Sequence, residues 1–190
     1  SSLADSYDVQ MVQFPGWGLE PTRSSVAAIA RKARQYKNQE PLYIAHGIGN
    51  TILAHAVTAF DVPVKGLVSL APFVHTDWKG VLYRMYEWLA DPVEHHPFEQ
   101  ELQEPFWQKR PKFIAYGKND RVLGLRDRET RLQYAHAFAP VRDKAQIRSY
   151  NYLNHGLNMT GNYLTPFNSV GCEDFTKDLE SFLTQHASDK

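Results

Sequence analysis

The sequence predicts an α/β fold with a doubly wound, mostly parallel sheet that helices cover on both faces. Three features point to it. Strand-like runs alternate with helical patterns along the chain, which is typical of a parallel sheet. The run Leu42–Ala45 ends at a glycine-rich turn, and a helical pattern begins at once. The run Val64–Ala71 is mostly apolar, as expected of a parallel strand buried on both faces.

The N-terminal part supplies the first β–α unit of this alternation. Tyr7–Gln13 is rich in strand-forming residues and leads into a turn at Pro15–Gly18. Thr22, Ser24 or Ser25 can cap the helix that follows. One face of that helix carries the apolar residues Val26, Ile29, Ala30, Ala33 and Tyr36.

The glycine-rich turn reads Ala-His-Gly-Ile-Gly over residues 45–49. Residues at helical spacing then line one face: Ile48, Ile52, Leu53, Ala56, Val57 and Phe60. Strand, sharp turn and helix form the setting of a nucleophile elbow. A turn that binds phosphate at the helix N-terminus is the alternative. The turn lacks the third glycine of a dinucleotide motif and the Lys-Ser/Thr of a P-loop.

The C-terminal half continues the alternation and places two polar residues after strands. A short strand within Pro111–Gly117 is followed by Asp120 and then by a helix over Leu125–Phe138. Gln146–Tyr150 is the next strand, and His155 lies in the loop after it. The last helix presents an apolar face made of Phe175, Leu179, Phe182 and Leu183.

The elbow, Asp120 and His155 follow one another in the order nucleophile, acid and histidine, each after its own strand. In this order the chain resembles the α/β-hydrolase family from about Tyr7 to Leu183. The resemblance implies that Gly47 stands where the family has its serine, that Asp120 is the triad acid, and that His155 is the catalytic histidine. It also implies that the backbone N–H of Ile48 corresponds to an oxyanion-hole donor.

The segment Phe14–Gly18 resembles the loop that precedes the family's elbow strand, with Gln13 at the position of a usual aspartate. On this alignment the chain begins just before the family's fourth strand. The first three strands, and the loop that supplies a second oxyanion donor, are therefore missing. Tyr7–Gln13 must then pair with the elbow strand, or other protein subunits supply the missing strands.

Residues 73–111 interrupt the alternation with a run rich in aromatic residues and proline. We expect a single domain over residues 1–190, with 73–111 as a cap-like insertion that forms either a small helical cap or the wall of a pocket. The histidines of this segment, His75, His95 and His96, match no usual ligand spacing. The sequence therefore predicts no metal site and no cofactor.

The composition of the chain indicates which kinds of partner it can bind and which cellular compartment it occupies. The 21 basic and 21 acidic residues balance, which argues against nucleic acid as a partner. No apolar run reaches the ~18 residues of a membrane-spanning helix. Cys172 is the single cysteine, which favours a reducing compartment. We expect an intracellular protein, possibly organellar after removal of a transit peptide.

The functional prediction follows from the glycine at the elbow. Glycine tolerates strained backbone angles and has no hydroxyl, so Gly47 keeps the turn and cannot attack a carbonyl. The sequence predicts a catalytically inactive hydrolase-like protein that acts as a structural or scaffolding subunit of an assembly. One alternative is an acid/base enzyme that uses Asp120 and His155 without a serine. The other is a small-molecule binding module.

Overall fold

Four parallel strands form the centre of the structure, a computed structural model that describes residues 8, 22–36, 39–74, 95–151, 153–156 and 172–187. The strands are β1 (Leu42–His46), β2 (Gly66–Leu70), β3 (Lys112–Gly117) and β4 (Gln146–Tyr150). They lie side by side in the order β1-β2-β3-β4. Every neighbouring pair is parallel, so the predicted parallel sheet is confirmed.

Helices occupy the connections between the strands, as a parallel sheet requires. The described helices are α1 (Thr22–Ala33), α2 (Gly49–Phe60), α3 (Phe98–Glu101), α4 (Pro105–Gln108), α5 (Arg128–Ala137) and α6 (Glu173–Ala187). Short 3₁₀ turns follow α1 and α5 at Arg34–Tyr36 and Ala139–Lys144.

Two apolar cores lie on the two faces of the sheet because successive strand residues point to opposite sides. Leu67 and Ile114 belong to the first core, which includes the buried faces of α1 and α2. Val68 and Phe113 belong to the second core, which packs against α6. The predicted apolar face of α6 is confirmed, since all four of its residues are buried there. The sheet is therefore covered on both faces.

Two predicted helix boundaries were wrong. α1 begins at Thr22, the first of the three residues offered as its cap, whereas Ser24 and Ser25 lie inside the helix and Tyr36 lies in the 3₁₀ turn beyond its end. The predicted helix over Leu125–Phe138 begins only at Arg128. Its N-cap is Asp127, whose side chain accepts a hydrogen bond of 2.7 Å from the N–H of Thr130. That bond satisfies one of the first free N–H groups of the helix.

The prediction for Phe60 was also wrong. It has the spacing of the apolar face of α2 but is 52% exposed, because it is the last residue of the helix and extends past the core. The predicted strand Tyr7–Gln13 and the loop Phe14–Gly18 lie outside the described residues, apart from Asp8. Residues 75–94 of the cap-like insertion also lie outside them.

The described part of the insertion is helical near its end, where α3 and α4 precede β3. The side chains of Phe98, Leu102 and Trp107 are fully buried in the first core. This part therefore closes one face of the sheet. None of the helices in the described ranges is both long and apolar enough to cross a membrane.

Candidate functional site

The elbow is a tight turn between β1 and α2, with Gly47 at a φ of 55°. This left-handed conformation suits glycine and is costly for residues that have a Cβ. The N–H of Gly47 donates to the carbonyl of Leu70 at 2.9 Å. Asn50 Nδ2 donates to the carbonyls of both Gly47 and Leu70, at 2.9 and 3.1 Å. The buried amide of Asn50 therefore anchors the turn to the end of β2.

Asp120 lies in the turn after β3 and is completely buried. Its Oδ1 accepts the N–H of Leu123 at 2.9 Å. Its own backbone joins the same turn, because its N–H donates to Gly117 and its carbonyl accepts from Leu125, at 3.2 and 2.8 Å. The carboxylate is therefore held in one orientation by backbone groups of its own loop.

His155 lies in the loop after β4 and meets Asp120 across the end of the sheet. Its Nδ1 is 2.7 Å from Asp120 Oδ2, the distance of a charge-assisted hydrogen bond. In this pair Nδ1–H donates to the carboxylate, which leaves Nε2 as the free ring nitrogen when the histidine is neutral. This is the tautomer in which a histidine acts as a general base.

The elbow faces this free nitrogen. A Cβ built on Gly47 would lie 3.5 Å from His155 Nε2 and 3.7 Å from the ring of Phe73. A hydroxyl carried by residue 47 could therefore reach the nitrogen within hydrogen-bond distance. The structure brings Gly47, Asp120 and His155 together, as the sequence predicted. That they correspond to the nucleophile, acid and histidine of a catalytic triad stays a prediction.

His46 holds the histidine loop from the other side. Its Nε2 donates to the carbonyl of His155 at 2.8 Å, and the two rings meet edge to face at 4.8 Å. The pKa of His46 is lowered, mainly by desolvation of the ring and secondly by the nearby charge of His155. Part of the residue is nevertheless exposed to solvent. The neutral form of His46 is the one that this arrangement favours.

The close approach of β3 to the histidine loop is a further constraint. A Cβ on Gly117 would lie 2.0 Å from the carbonyl oxygen of Leu153, where no real Cβ is found. Only glycine therefore allows the loop that carries His155 to lie against the end of β3.

The loop after β2 forms the wall beside His155. Ala71 begins it with a φ of 43°, a strained value for a residue with a Cβ. The hydroxyl of Tyr134, on α5, donates to the carbonyl of Pro72 at 2.7 Å. Burial, followed by the charge of Asp120, raises the pKa of Tyr134 well above its usual value, so the hydroxyl remains a donor. Phe73, the next residue, then meets the ring of His155 edge to face at 5.9 Å.

Sequence reasoning missed the supporting residues of this site. Asn50 could have been found from its position three residues after Gly47, where an amide can bond back to a turn. His46 could also have been found, because an imidazole next to the elbow glycine can donate a hydrogen bond to a neighbouring loop. Tyr134 gave no signal, because its contact with Pro72 joins residues that are 62 positions apart.

Ile48 lies at the N-cap of α2 in a helical conformation. The first N–H groups of a helix lack partners within it, so this end of α2 offers donors beside the elbow. An oxyanion role for the N–H of Ile48 stays a prediction.

Comparison with known proteins shows the fold. No protein-family model matches the chain, and no curated protein matches it. Solved structures do match, and the neighbours are α/β-hydrolase fold proteins. One is MGS-MChE2, an α/β-hydrolase enzyme from the metagenome of sediments from the lagoon of Mar Chica, Morocco. It is 15% identical with a TM-score of 0.58, and the match covers 93% of this chain and 76% of that one.

Two further neighbours have similar scores. A monoacylglycerol lipase from Paleococcus ferrophilus is 12% identical with a TM-score of 0.57, covering 89% of this chain and 77% of that one. A bromoperoxidase from Bacillus anthracis is 13% identical with a TM-score of 0.54, covering 86% and 74%. Part of each neighbour therefore has no counterpart here. At these identities the comparison shows the fold and not the activity.

Proposed function

Because the chain has the α/β-hydrolase fold and carries glycine at its elbow, we propose that it is a catalytically inactive hydrolase-like protein that serves as a structural subunit of a larger protein assembly. The observation that carries the inactivity is the turn itself. Gly47 has a φ of 55° and faces His155 Nε2 with no side chain between them. In subtilisin, removal of the nucleophilic serine alone lowers turnover by about 10⁶-fold.

The serine or threonine nearest to Gly47 in sequence is Thr51, which lies in the first turn of α2 and is buried. An attacking group must lie within hydrogen-bond reach of its base. Thr51 Oγ1 is buried and makes no hydrogen bond to any described residue, His155 included, so it is not placed as a replacement nucleophile.

The subunit role rests on the edge of the sheet at β1. In the described residues, β1 pairs with β2 and with no other strand. Ile44, in the middle of β1, is 47% exposed, although β-branched residues in a parallel sheet are usually covered. The hydroxyl of Tyr43, beside it, is buried without a hydrogen-bond partner in the described part of the structure. An unpaired strand edge with an apolar side chain is a site at which another polypeptide can add.

The inactivity is tested with a serine-directed phosphonate probe. We expect the wild-type protein to remain unlabelled, while an active α/β-hydrolase labels fully under the same conditions. Gly47→Ser places a hydroxyl opposite His155 Nε2 and should restore slow labelling. The double variant Gly47→Ser/His155→Gln is the matched control and should lose it. Stoichiometric labelling of the wild type would contradict the proposal.

The subunit role needs a separate test that reports on the strand edge. A photo-crosslinking amino acid at position 44 should trap one partner polypeptide in the native cell, while the same group at the exposed Leu132 of α5 should not. Amide hydrogen exchange of the isolated chain shows whether the edge of β1 is covered without a partner. Full protection of the β1 amides in a monomer would show that the chain covers its own edge, and would overturn the proposal.

A second candidate function rests on the preserved pair of Asp120 and His155. A pair held at 2.7 Å could activate a water for attack on a bound substrate, as a general base. The same space could instead bind a small molecule without chemistry. Turnover of activated esters that disappears in His155→Gln, but persists in the exposed-site variant His136→Gln, would favour the enzyme. Saturable binding without turnover would favour the binding module.

The compartment also belongs to the proposal. Cys172 is buried, and it is the single cysteine of this sequence, so it has no partner in the chain for a disulfide. A reducing intracellular or organellar compartment is consistent with this. Imaging of the tagged full-length protein tests it, and secretion into the medium would contradict it.

A further inference from the structure

A group of three potential metal ligands lies away from the elbow, where α2 meets the end of the cap-like insertion. His55 is on α2, eight residues beyond Gly47, which corresponds to about 12 Å along the helix axis. Glu101 is the last residue of α3, and His96 lies just before that helix. The three residues therefore join two segments that are distant in sequence.

Two of the ligand-atom distances in this group are close to those around a small divalent cation. His55 Nδ1 is 3.2 Å from Glu101 Oε1, and His96 Nδ1 is 3.6 Å from the same oxygen. One ligand atom of each residue lies within 4.8 Å of the others. In a tetrahedral zinc site with bonds of about 2.0–2.1 Å, neighbouring ligand atoms are roughly 3.3 Å apart. The His55–Glu101 and His96–Glu101 distances lie on either side of that value. The two imidazole rings stack with their centroids 3.6 Å apart and their planes at 23°, so one ring has to rotate before both rings can point a nitrogen at the same ion.

Hydrogen bonding leaves the carboxylate of this group incompletely satisfied. His55 Nδ1 is within hydrogen-bond distance of Glu101 Oε1, and His96 Nδ1 lies 3.6 Å from the same oxygen. The second oxygen, Glu101 Oε2, is buried and has no hydrogen-bond partner among the described residues. A buried carboxylate oxygen without a partner is costly, and a bound cation would remove that cost.

We propose that His55, His96 and Glu101 bind one Zn²⁺ ion. Two imidazoles and a carboxylate form a ligand set that suits zinc. The histidine side chains are 25% and 38% exposed, which gives the ion a path from solvent and leaves a coordination position for water. The bound ion ties residues 95–101 to the helix that follows the elbow.

The fold, and not the sequence spacing, creates this site. The sequence suggested no site because His75, His95 and His96 match no ligand pattern. The structure instead combines His96 with His55 and Glu101, which α2 and α3 bring together. The proposal is independent of whether the elbow is active, since no ligand is shared with the pair of Asp120 and His155.

The test is a zinc titration of the full chain after treatment with a chelator. Calorimetry should show one Zn²⁺ bound per chain, and the same titration with Mg²⁺ should show none, because Mg²⁺ prefers oxygen ligands. At a free zinc concentration 100-fold above Kd, the Tm should rise by roughly 5–10 °C. Absence of binding, or binding without a rise in Tm, would overturn the proposal.

Variants then locate the ion. His55→Gln and His96→Gln should each weaken zinc binding at least tenfold, and the exposed control His136→Gln should leave it unchanged. Circular dichroism before metal addition shows whether each variant is folded. If a variant does not fold, the absorption spectrum of the wild type loaded with Co²⁺ is recorded instead. A spectrum typical of octahedral rather than tetrahedral Co²⁺ would overturn the proposal. Equal zinc affinity of the wild type and both variants does so as well.

Discussion

The elbow and the acid–histidine pair lie in contact, yet they differ in the chemical groups that they present. At the elbow, Gly47 keeps the turn and lacks any reacting group. Across from it, Asp120 and His155 keep a hydrogen bond of 2.7 Å with a buried carboxylate. On the proposed function, the elbow has lost its part of the catalytic machinery, while the acid–histidine pair remains in place.

The difference is explained by what each group contributes to folding. A serine hydroxyl at the elbow would support no other part of the chain. Asp120, in contrast, organises its own turn by accepting the N–H of Leu123, and the carbonyl of His155 accepts from His46. An acid–histidine pair can therefore persist for structural reasons. Its presence alone is weak support for catalysis.

The largest effect should come from Gly117→Ala, which tests the contact that places His155. The new Cβ would lie 2.0 Å from the carbonyl oxygen of Leu153, so the histidine loop must move. We expect a loss of at least about 3 kcal/mol in the free energy of unfolding, measured with urea. Nuclear magnetic resonance should also show a shifted His155 ring. A stability equal to the wild type would show that the loop does not depend on this approach.

Asp120→Ala should have the next largest effect, even if the protein has no activity. It leaves the N–H of Leu123 buried without a partner and removes the acceptor of His155 Nδ1. We expect a cost of about 2–3 kcal/mol in urea unfolding. The exposed control Asp143→Ala should change the stability by less than about 0.5 kcal/mol. If both variants were equally stable, Asp120 would not contribute to the free energy of unfolding, and its burial would have to be explained by function.

Gly47→Ala should cost less, because space is available and only the backbone angle opposes it. The nearest atoms to the new Cβ are at ordinary contact distances of 3.5 and 3.7 Å. The positive φ alone should cost about 1 kcal/mol. Urea unfolding of this variant measures the loss in the free energy of unfolding. A cost as large as that of Gly117→Ala would mean that the elbow tolerates no side chain, and that a serine could not have fitted.

The smallest effect should be a change in pH dependence at His46. Its pKa is lowered in the folded protein, first by desolvation and then by His155, so folding favours the neutral ring. This contribution to stability is complete above the ordinary value of 6.5 and is lost as the pH falls through the lower folded value. His46→Gln keeps a donor for the carbonyl of His155. Its stability should therefore fall less on acidification than that of the wild type.

Local patterns were enough to predict the fold and the convergence of the site. The apolar run of β2, the glycines after β1 and the positions of Asp120 and His155 after strands are all readable within a few residues. In a parallel sheet the carboxyl ends of strands meet at one edge, so order along the chain implies proximity there. The residues at the site therefore followed from topology.

The supporting contacts could not be predicted, because they join residues that only packing brings together. Tyr134 reaches Pro72 from another helix, and His55 meets Glu101 across the cap-like insertion. The exposure of Phe60 was missed because helical spacing does not tell where the core ends. Such features depend on how far each element extends against its neighbours.

The short crossover between β1 and β2 has a consequence for how the chain folds. Residues 47–65 close it, whereas residues 71–111 separate β2 from β3. Because closing a longer loop costs more entropy, we expect β1, α2 and β2 to form the folding nucleus, and β3 and β4 to dock afterwards. The elbow turn lies within that nucleus. On the proposed function, rapid folding would then be the reason that the glycine-rich turn is kept at an elbow without a nucleophile.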